Sequence, residues 1–504
     1  MARLLRPPFH VAVLTLLLAV VWRSSTAEYR REAPTRAIGA DDLETAPASG
    51  CVCDVTHFGA VGDGTRDNTQ AFRDAVHACT ACAGTANESR PGGVPAQVEA
   101  RDGVSTTSSA GEVVVPGGAF LTGPFNLSSH MRLTVTPHAV VYAIDNFDAF
   151  RLVPPLPSYG SGREFEGPDY EPFIGCWNCT GVTVTGGGVI DGQGAAWWAA
   201  FRSRSISHTR PRLLQFRWCD DVVVHNVTLR NSPFWTLHFV YSRGIRATHL
   251  TIRAPADTGM SAPNTDGIDP DSSQDVLISD CDISTGDDAI AIKSGWDQFG
   301  RQVGIPTQNV LIKDSIFHGP PRAAAGAPFP CCNSLSIGSE MSGGVRNATV
   351  VNVTLANTPR ALYIKSARGR GGYVTDVTYS DIRVLGTNIA IKVADDYRAA
   401  EVHPNQTAIP VIDNIVFKGI QGSGVDAVML AAGLPDGIVT RVRLEDSTFR
   451  MSAPPSAALP AYNCSNVEGS WREVQPTPCE ALRPSPPLDL ITSAVLKTGA
   501  VNVV

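Results

Sequence analysis

Short stretches in which apolar and polar residues alternate recur along most of the chain. Asp221 to Leu229 reads DVVVHNVTL and returns nearly intact as NATVVNVTL from Asn347 to Leu355, with looser copies beginning near Val182, Ile245, Val276, Val310, Val377, Ile415 and Val442. A period of two sends every second side chain to one face, as in a half-buried strand, and each copy is bounded by Gly, Asn, Asp or Pro. The copies begin roughly 23 to 40 residues apart, a period that marks a solenoid or array. Helical repeats need apolar positions at three-and-four spacing, which these lack. Propeller blades need about 40 residues, more than many copies occupy. The pattern therefore predicts an all-β chain folded as a single right-handed parallel β-helix, in which each coil supplies one strand per sheet and stacking buries the inward side chains.

A solenoid must cap its open end, and one short helix is predicted to do so. Asn68 to His77 (NTQAFRDAVH) places Phe72, Ala75 and Val76 on one face. The expected organisation is a signal peptide over residues 1–27, a linker over 28–52, a β-helix domain over 53–450 and a Pro-rich tail over 451–504. Residues 84–111, rich in Gly, Ala, Ser and Thr, and residues 321–330 read as loops.

Composition narrows the class. Of 504 residues, 46 are Gly and 36 Pro, which suits a chain that turns often; at 43% hydrophobic and 18% charged it is neither disordered nor a coiled coil. A net charge of −7 argues against a nucleic-acid partner. Arg3 and Arg6, the apolar run Val11 to Trp22 and the small residues Ser24 to Ala27 have the layout of a cleavable secretory signal. The expectation is a secreted monomer, extracellular or in a cell wall, without stable membrane association after cleavage. The 12 cysteines all follow that segment, and in an exported chain an even count favours disulfides over zinc half-sites at Cys79/Cys82 and Cys176/Cys179. Cys464 with Cys479 is the expected pair. Sequons at Asn87, Asn126, Asn178, Asn226, Asn347, Asn352, Asn405 and Asn463 fit the same route.

Carboxylates concentrate in NTDGIDPDS (Asn264 to Ser272) and STGDDAIAIKSG (Ser284 to Gly295). Asp266 precedes Asp287 and Asp288 by about one short repeat, so stacking at a strand spacing of about 4.8 Å brings the three together. Converging acids suit glycosidic bond cleavage, in which one carboxyl donates a proton to the leaving oxygen and another activates water. Mutual repulsion keeps one of them protonated. Adjacent Asp287 and Asp288 point to opposite faces of an ideal strand, so both reach the cleft only if the chain bends, a role assigned to Gly286. Turn-capping Asp residues or a calcium site using Asp269 and Asp271 are the alternatives.

These two segments resemble glycoside hydrolase family 28, the polygalacturonase family. So do DVTHFGAVGDGTRDNTQAF (Asp54 to Phe72), VVVPGGAFLTGPFNLSSH (Val113 to His130), GGGVIDGQGAAWW (Gly186 to Trp198), NSPFWTLH (Asn231 to His238), SIGSEMSGGVRN (Ser336 to Asn347) and YIKSARGRGGYV (Tyr363 to Val374). The resemblance implies a β-helical enzyme that cleaves α-1,4-galacturonosyl links of pectin or polygalacturonate with inversion and without a metal or other cofactor. It implies Asp287 as general acid, Asp266 and Asp288 as bases on the hydrolytic water, and Lys365 on the substrate carboxylate. Asn264 belongs to the matching NTD motif and is carried over as a substrate-binding residue. The GSEMSGG segment, with Glu340, looks like the subgroup of plant polygalacturonase-like and bacterial exo-acting members, so trimming from chain ends is expected.

Two departures from the family pattern stand out. Asn333 occupies the place of a histidine, and Tyr363 that of the arginine before Ile364-Lys365. Without that arginine, Arg368 and Arg370 are the substitutes the sequence offers for a carboxylate clamp. The loss also keeps open a rhamnogalacturonan or substituted-pectin hydrolase. A pectate lyase or a non-catalytic wall-binding β-helix fits less well, because all three aspartates are present. Trp197, Trp198, Phe234, Trp235 and His238 are read as structural.

Overall fold

Copies of the repeat run as two strands joined by a corner or as one longer strand that turns the same corner. DVVVHNVTL divides into Asp220–His225 and Thr228–Arg230, and Asn226 between them takes a left-handed φ of 48°. Asn352 does the same, at 54°, within the later copy. Among L-residues, Asn and Asp enter this region at least cost, which explains their recurrence at fixed places. Corner side chains also bond from coil to coil: Asn309 accepts from Asn347 and donates to Asp275, both at 2.8 Å.

In the computed structural model, residues 51–88, 111–254, 262–321, 332–394, 397, 407–454 and 460–485 are described. Their strands stack in parallel as a β-helix. The strands of the repeats belong to a 23-stranded sheet, and a further strand per coil belongs to an 11-stranded sheet. In the latter, Ile174, Leu214, Leu237, Ile268, Ile290, Leu335 and Leu362 form one inward ladder, all buried. Val222, Ile245, Val276, Val310 and Ala348 form an inward ladder of the larger sheet. Burying each such aliphatic side chain contributes about 1.5–3 kcal/mol.

The capping helix runs from Thr69 to Glu88, well past the predicted His77. Phe72, Ala75 and Val76 are buried as expected, with Phe72 against Phe120 and Phe125. Disulfides Cys51–Cys82 and Cys53–Cys79 tie the helix to the first strand, Cys51–Asp54. Cys464 pairs with Cys479 as expected. Cys176 pairs with Cys179, so neither cysteine spacing is a zinc half-site, while Cys219 and Cys281 remain buried thiols. Within the Pro-rich tail, the described residues 460–485 extend the solenoid. Tyr462–Ser465 and Val467–Gln475 add strands to both sheets, and Leu482–Pro484 adds one more to the larger. The signal segment, nearly all of the linker, most of 84–111 and the run 322–331 lie outside the described residues.

One excursion positions the site. Between Ala143 and Ile174 the chain leaves the coils, forms a short antiparallel pair (Leu152–Val153 with Asp169–Tyr170) and lies over the outward face of the smaller sheet. Beneath it, the outward residues Gln215, Arg217, His238, Asp269 and Asp271 are all buried. Tyr159 donates to Asp271 at 2.6 Å, Arg212 pairs with Asp169 at 2.6 Å, and Arg210 pairs with Glu164 at 2.5 Å. His238 bridges Gln215 and Asp271 at 2.7 and 3.2 Å, and burial lowers its pKa to about 4. It is a neutral structural residue, as its sequence context suggested.

Candidate active site

From the edge of this covered region onward, the strands Ile268–Asp271, Ile290–Ile292, Leu335–Ile337 and Arg360–Lys365 lie side by side. The residue two places before each inward ladder position forms a second ladder. Gly267 donates to the carbonyl of Asp288 at 2.9 Å, Ala289 to that of Asn333 at 3.1 Å, and Ser334 to that of Arg360 at 3.0 Å. Asp266, Asp288, Asn333 and Arg360 thus stand in successive coils.

Asp287 and Asp288 both reach the cleft because they precede the strand, in a bend. Gly286 makes that bend possible by close approach: a Cβ there would lie 2.1 Å from the carbonyl oxygen of Ala262. Its amide donates to the Thr265 hydroxyl at 2.9 Å. Asp287 is half-buried, while Asp266 and Asp288 are buried. Burial first, then repulsion from Asp266 and Asp288, raises the Asp287 carboxyl to about 7. Asn264 donates to Asp287 Oδ2 at 3.3 Å, its amide oriented by Arg210, which donates to its Oδ1 at 3.3 Å. Asn264 therefore addresses the acid carboxyl.

The other two acids are held by cations. Lys365 pairs with Asp288, and Asn333 donates to the second oxygen of Asp288 at 2.8 Å. Lys293 lies 3.0 Å from Asp266 Oδ2, 3.3 Å from Glu340 Oε2 and 3.4 Å from Asp269 Oδ1, with its Nζ 4.4 Å from the Trp235 ring centroid. Despite burial, these carboxylates hold the Lys293 ammonium well above its ordinary pKa. Burial raises Asp266, with Asp288 adding to the effect and Lys293 opposing it. The arrangement keeps one carboxyl protonated near neutrality beside two that are paired with ammonium groups, the division of labour that acid–base hydrolysis requires.

The remaining predicted residues divide. Tyr363 faces the cleft beside Lys365, whose ammonium lies 5.6 Å from its ring centroid, and burial raises its phenol to about 12. Glu340 is not free for a ligand: it pairs with Arg163 from the covering segment and with Lys293, and despite burial these cations keep it below the usual carboxylate range. The proposed substitutes for the lost arginine are engaged elsewhere, Arg368 with Asp436 and Arg370, buried, with Asp297. Trp197, Trp198, Phe234 and Trp235 are buried.

Lys293, Arg163 and Arg360 complete the site without having been singled out in the sequence. Lys293 had a signal, since in Ile290-Ala291-Ile292-Lys293 the period of two sends Ala291 and Lys293 outward together. Arg163, in a segment with no periodicity, had none.

The sequence model described as Glycosyl hydrolases family 28 matches residues 106–436. A probable polygalacturonase of Vitis vinifera is 34% identical over 427 residues, covering 84% of this chain and 79% of that protein. An endo-polygalacturonase of Pectobacterium carotovorum subsp. carotovorum is 31% identical over 322 residues, covering 62% and 73%. The crystal structure of an exopolygalacturonase from Thermotoga maritima superimposes with a TM-score of 0.65 at 25% identity, covering 84% of this chain and 91% of that one.

Proposed function

The chain belongs to glycosyl hydrolases family 28, and from that premise we propose that it is a secreted enzyme that hydrolyses α-1,4-galacturonosyl linkages of pectin or polygalacturonate with inversion, one residue at a time from a chain end. Asp287 protonates the glycosidic oxygen as the bond to the anomeric carbon breaks. Water adds to that carbon from the opposite face and gives its proton to the Asp266 and Asp288 pair. Lys365 pairs with Asp288 and Lys293 with Asp266.

The observation that carries the chemistry is the Asp287 carboxyl, raised to about 7 beside two acids paired with lysines. Support for action at chain ends comes from the covering segment. On one side of the catalytic strands the outward face of the sheet is buried under residues 156–172, with Arg163 locked to Glu340, so a polysaccharide has no continuous path across that side. A cleft closed at one end receives a chain terminus.

The test is incubation of the purified protein with polygalacturonate, with early products sized by chromatography. Galacturonate alone is expected. A ladder of oligomers at early times would exclude end-directed action, unsaturated products would exclude hydrolysis, and retention of the starting anomeric configuration would exclude inversion.

A further inference from the structure

We infer that Arg360 is the residue through which the cleft recognises a carboxylate of the sugar chain, and so distinguishes galacturonate from its methyl ester; this rests on the pectic substrate proposed above. Arg360 stands two coils beyond Asp288 in the ladder Asp266, Asp288, Asn333, Arg360, roughly 10 Å along it at about 4.8 Å per coil. That is the side away from the covering segment, where the chain following the cleaved bond must run.

Its charge is unspent. Among the described residues, Arg360 makes one side-chain hydrogen bond, from Nη1 to Asn333 Oδ1 at 3.3 Å; its Nε is buried without a partner, and no carboxylate lies within ion-pair distance. Five other described cations around the cleft are committed: Arg163 to Glu340, Arg210 to Glu164, Arg370 to Asp297, Lys365 to Asp288, and Lys293 to Asp266, Asp269 and Glu340. A partly buried guanidinium without a counter-ion is unfavourable unless a ligand supplies one, and its planar fork matches a carboxylate with two parallel hydrogen bonds.

The neighbours hold it ready. The guanidinium carbon lies 5.3 Å from the Tyr363 ring centroid, a cation–π contact. Tyr363, which stands where relatives of this family are expected to carry arginine, supports a cation delivered from three residues upstream. Asn333 accepts from Arg360 and donates to Asp288, which fixes both the amide and the guanidinium. Occupation of the fork by a sugar carboxylate is thereby registered two hydrogen bonds away from a catalytic acid.

The test measures binding of trigalacturonate and of its methyl ester by calorimetry to D287N, D287N/R360Q and D287N/R360K, each first checked for a native circular dichroism spectrum. D287N is expected to prefer the acid. Loss of a charged hydrogen-bonded pair should weaken acid binding by about tenfold to a hundredfold in D287N/R360Q, collapsing the acid-to-ester ratio, with partial recovery in D287N/R360K. An unchanged ratio in D287N/R360Q overturns the inference. If that variant does not fold, D287N/R360K decides, because lysine keeps the charge without the fork and must still lower the ratio severalfold. Failure of trigalacturonate to bind D287N at all, together with an inactive parent enzyme, overturns the substrate reading instead and removes the inference with it.

Discussion

Replacing Asp287 by asparagine separates two consequences of one proton. In the folded protein the carboxyl titrates near 7, against an ordinary value of 3.8, because burial and two neighbouring acids oppose its charge. In the unfolded chain it ionises near 4. Between those values the folded state holds a proton that the unfolded state has lost, so this group's contribution to stability falls as pH rises through that window and is gone above about 7. A difference of about three pKa units corresponds to about 4 kcal/mol as a ceiling. Asp287 is half-buried, and solvent screening brings the expected figure to about 1–2 kcal/mol. Asparagine keeps the shape without the charge. D287N should therefore melt higher than the parent at pH 8, by about 1–2 °C, and should show no gain at pH 4. The same variant should lose about 10²- to 10⁴-fold in kcat, while the parent's kcat falls above pH 7 as Asp287 gives up its proton. A gain equal at both pH values, or a lower melting temperature at pH 8, would refute this account of the raised carboxyl.

Two further substitutions test the supports of the site and the end of the solenoid. K293M leaves Asp266, Asp269 and Glu340 without their shared cation and should destabilise the fold by about 3–5 kcal/mol in urea titration. Asp266 then ionises at higher pH, so the lower limb of the pH–rate profile should move up; an unmoved limb would disconnect Lys293 from the base. C464S opens a loop with a sequence separation of 15 and should cost about 3 kcal/mol, seen as faster amide exchange in Tyr462–Pro484.

What could be read from the chain followed from short-range physics. Alternation with period two reports which side chains face the core whatever the coil beside them, so the strands near Val182, Ile245, Val276 and Val310 were legible one at a time. Left-handed corners favour Asn and Asp by sterics alone, and these punctuated the repeats. The clustering of Asp266, Asp287 and Asp288 was legible because stacking turns a sequence interval into a spatial one. Contacts that depend on an excursion were not. Arg163 meets Glu340, and Arg210 meets Glu164, only because residues 144–173 cross several coils, and nothing local encodes that path. The capping helix outran its prediction because HACTACAGTA, with two Thr and a Gly, is a weak helix former and lacks an amphipathic stripe. The last coil was hidden by Pro454, Pro455 and Pro460, which lie before its strands rather than within them.

The register of the smaller sheet also bears on how such a site can change over generations. Ile268, Ile290, Leu335 and Leu362 stay aligned although the chain between successive members takes detours of very different length. The reacting groups are thus mounted on a fixed lattice, and the detours hang outside it. Lengthening or trimming a detour can reshape what the cleft admits without displacing a carboxylate of the cluster. Losing a whole coil would shift every later rung by one place and dismantle the chemistry at a stroke. Variation in this enzyme should accordingly accumulate in its excursions, with the ladder inherited intact.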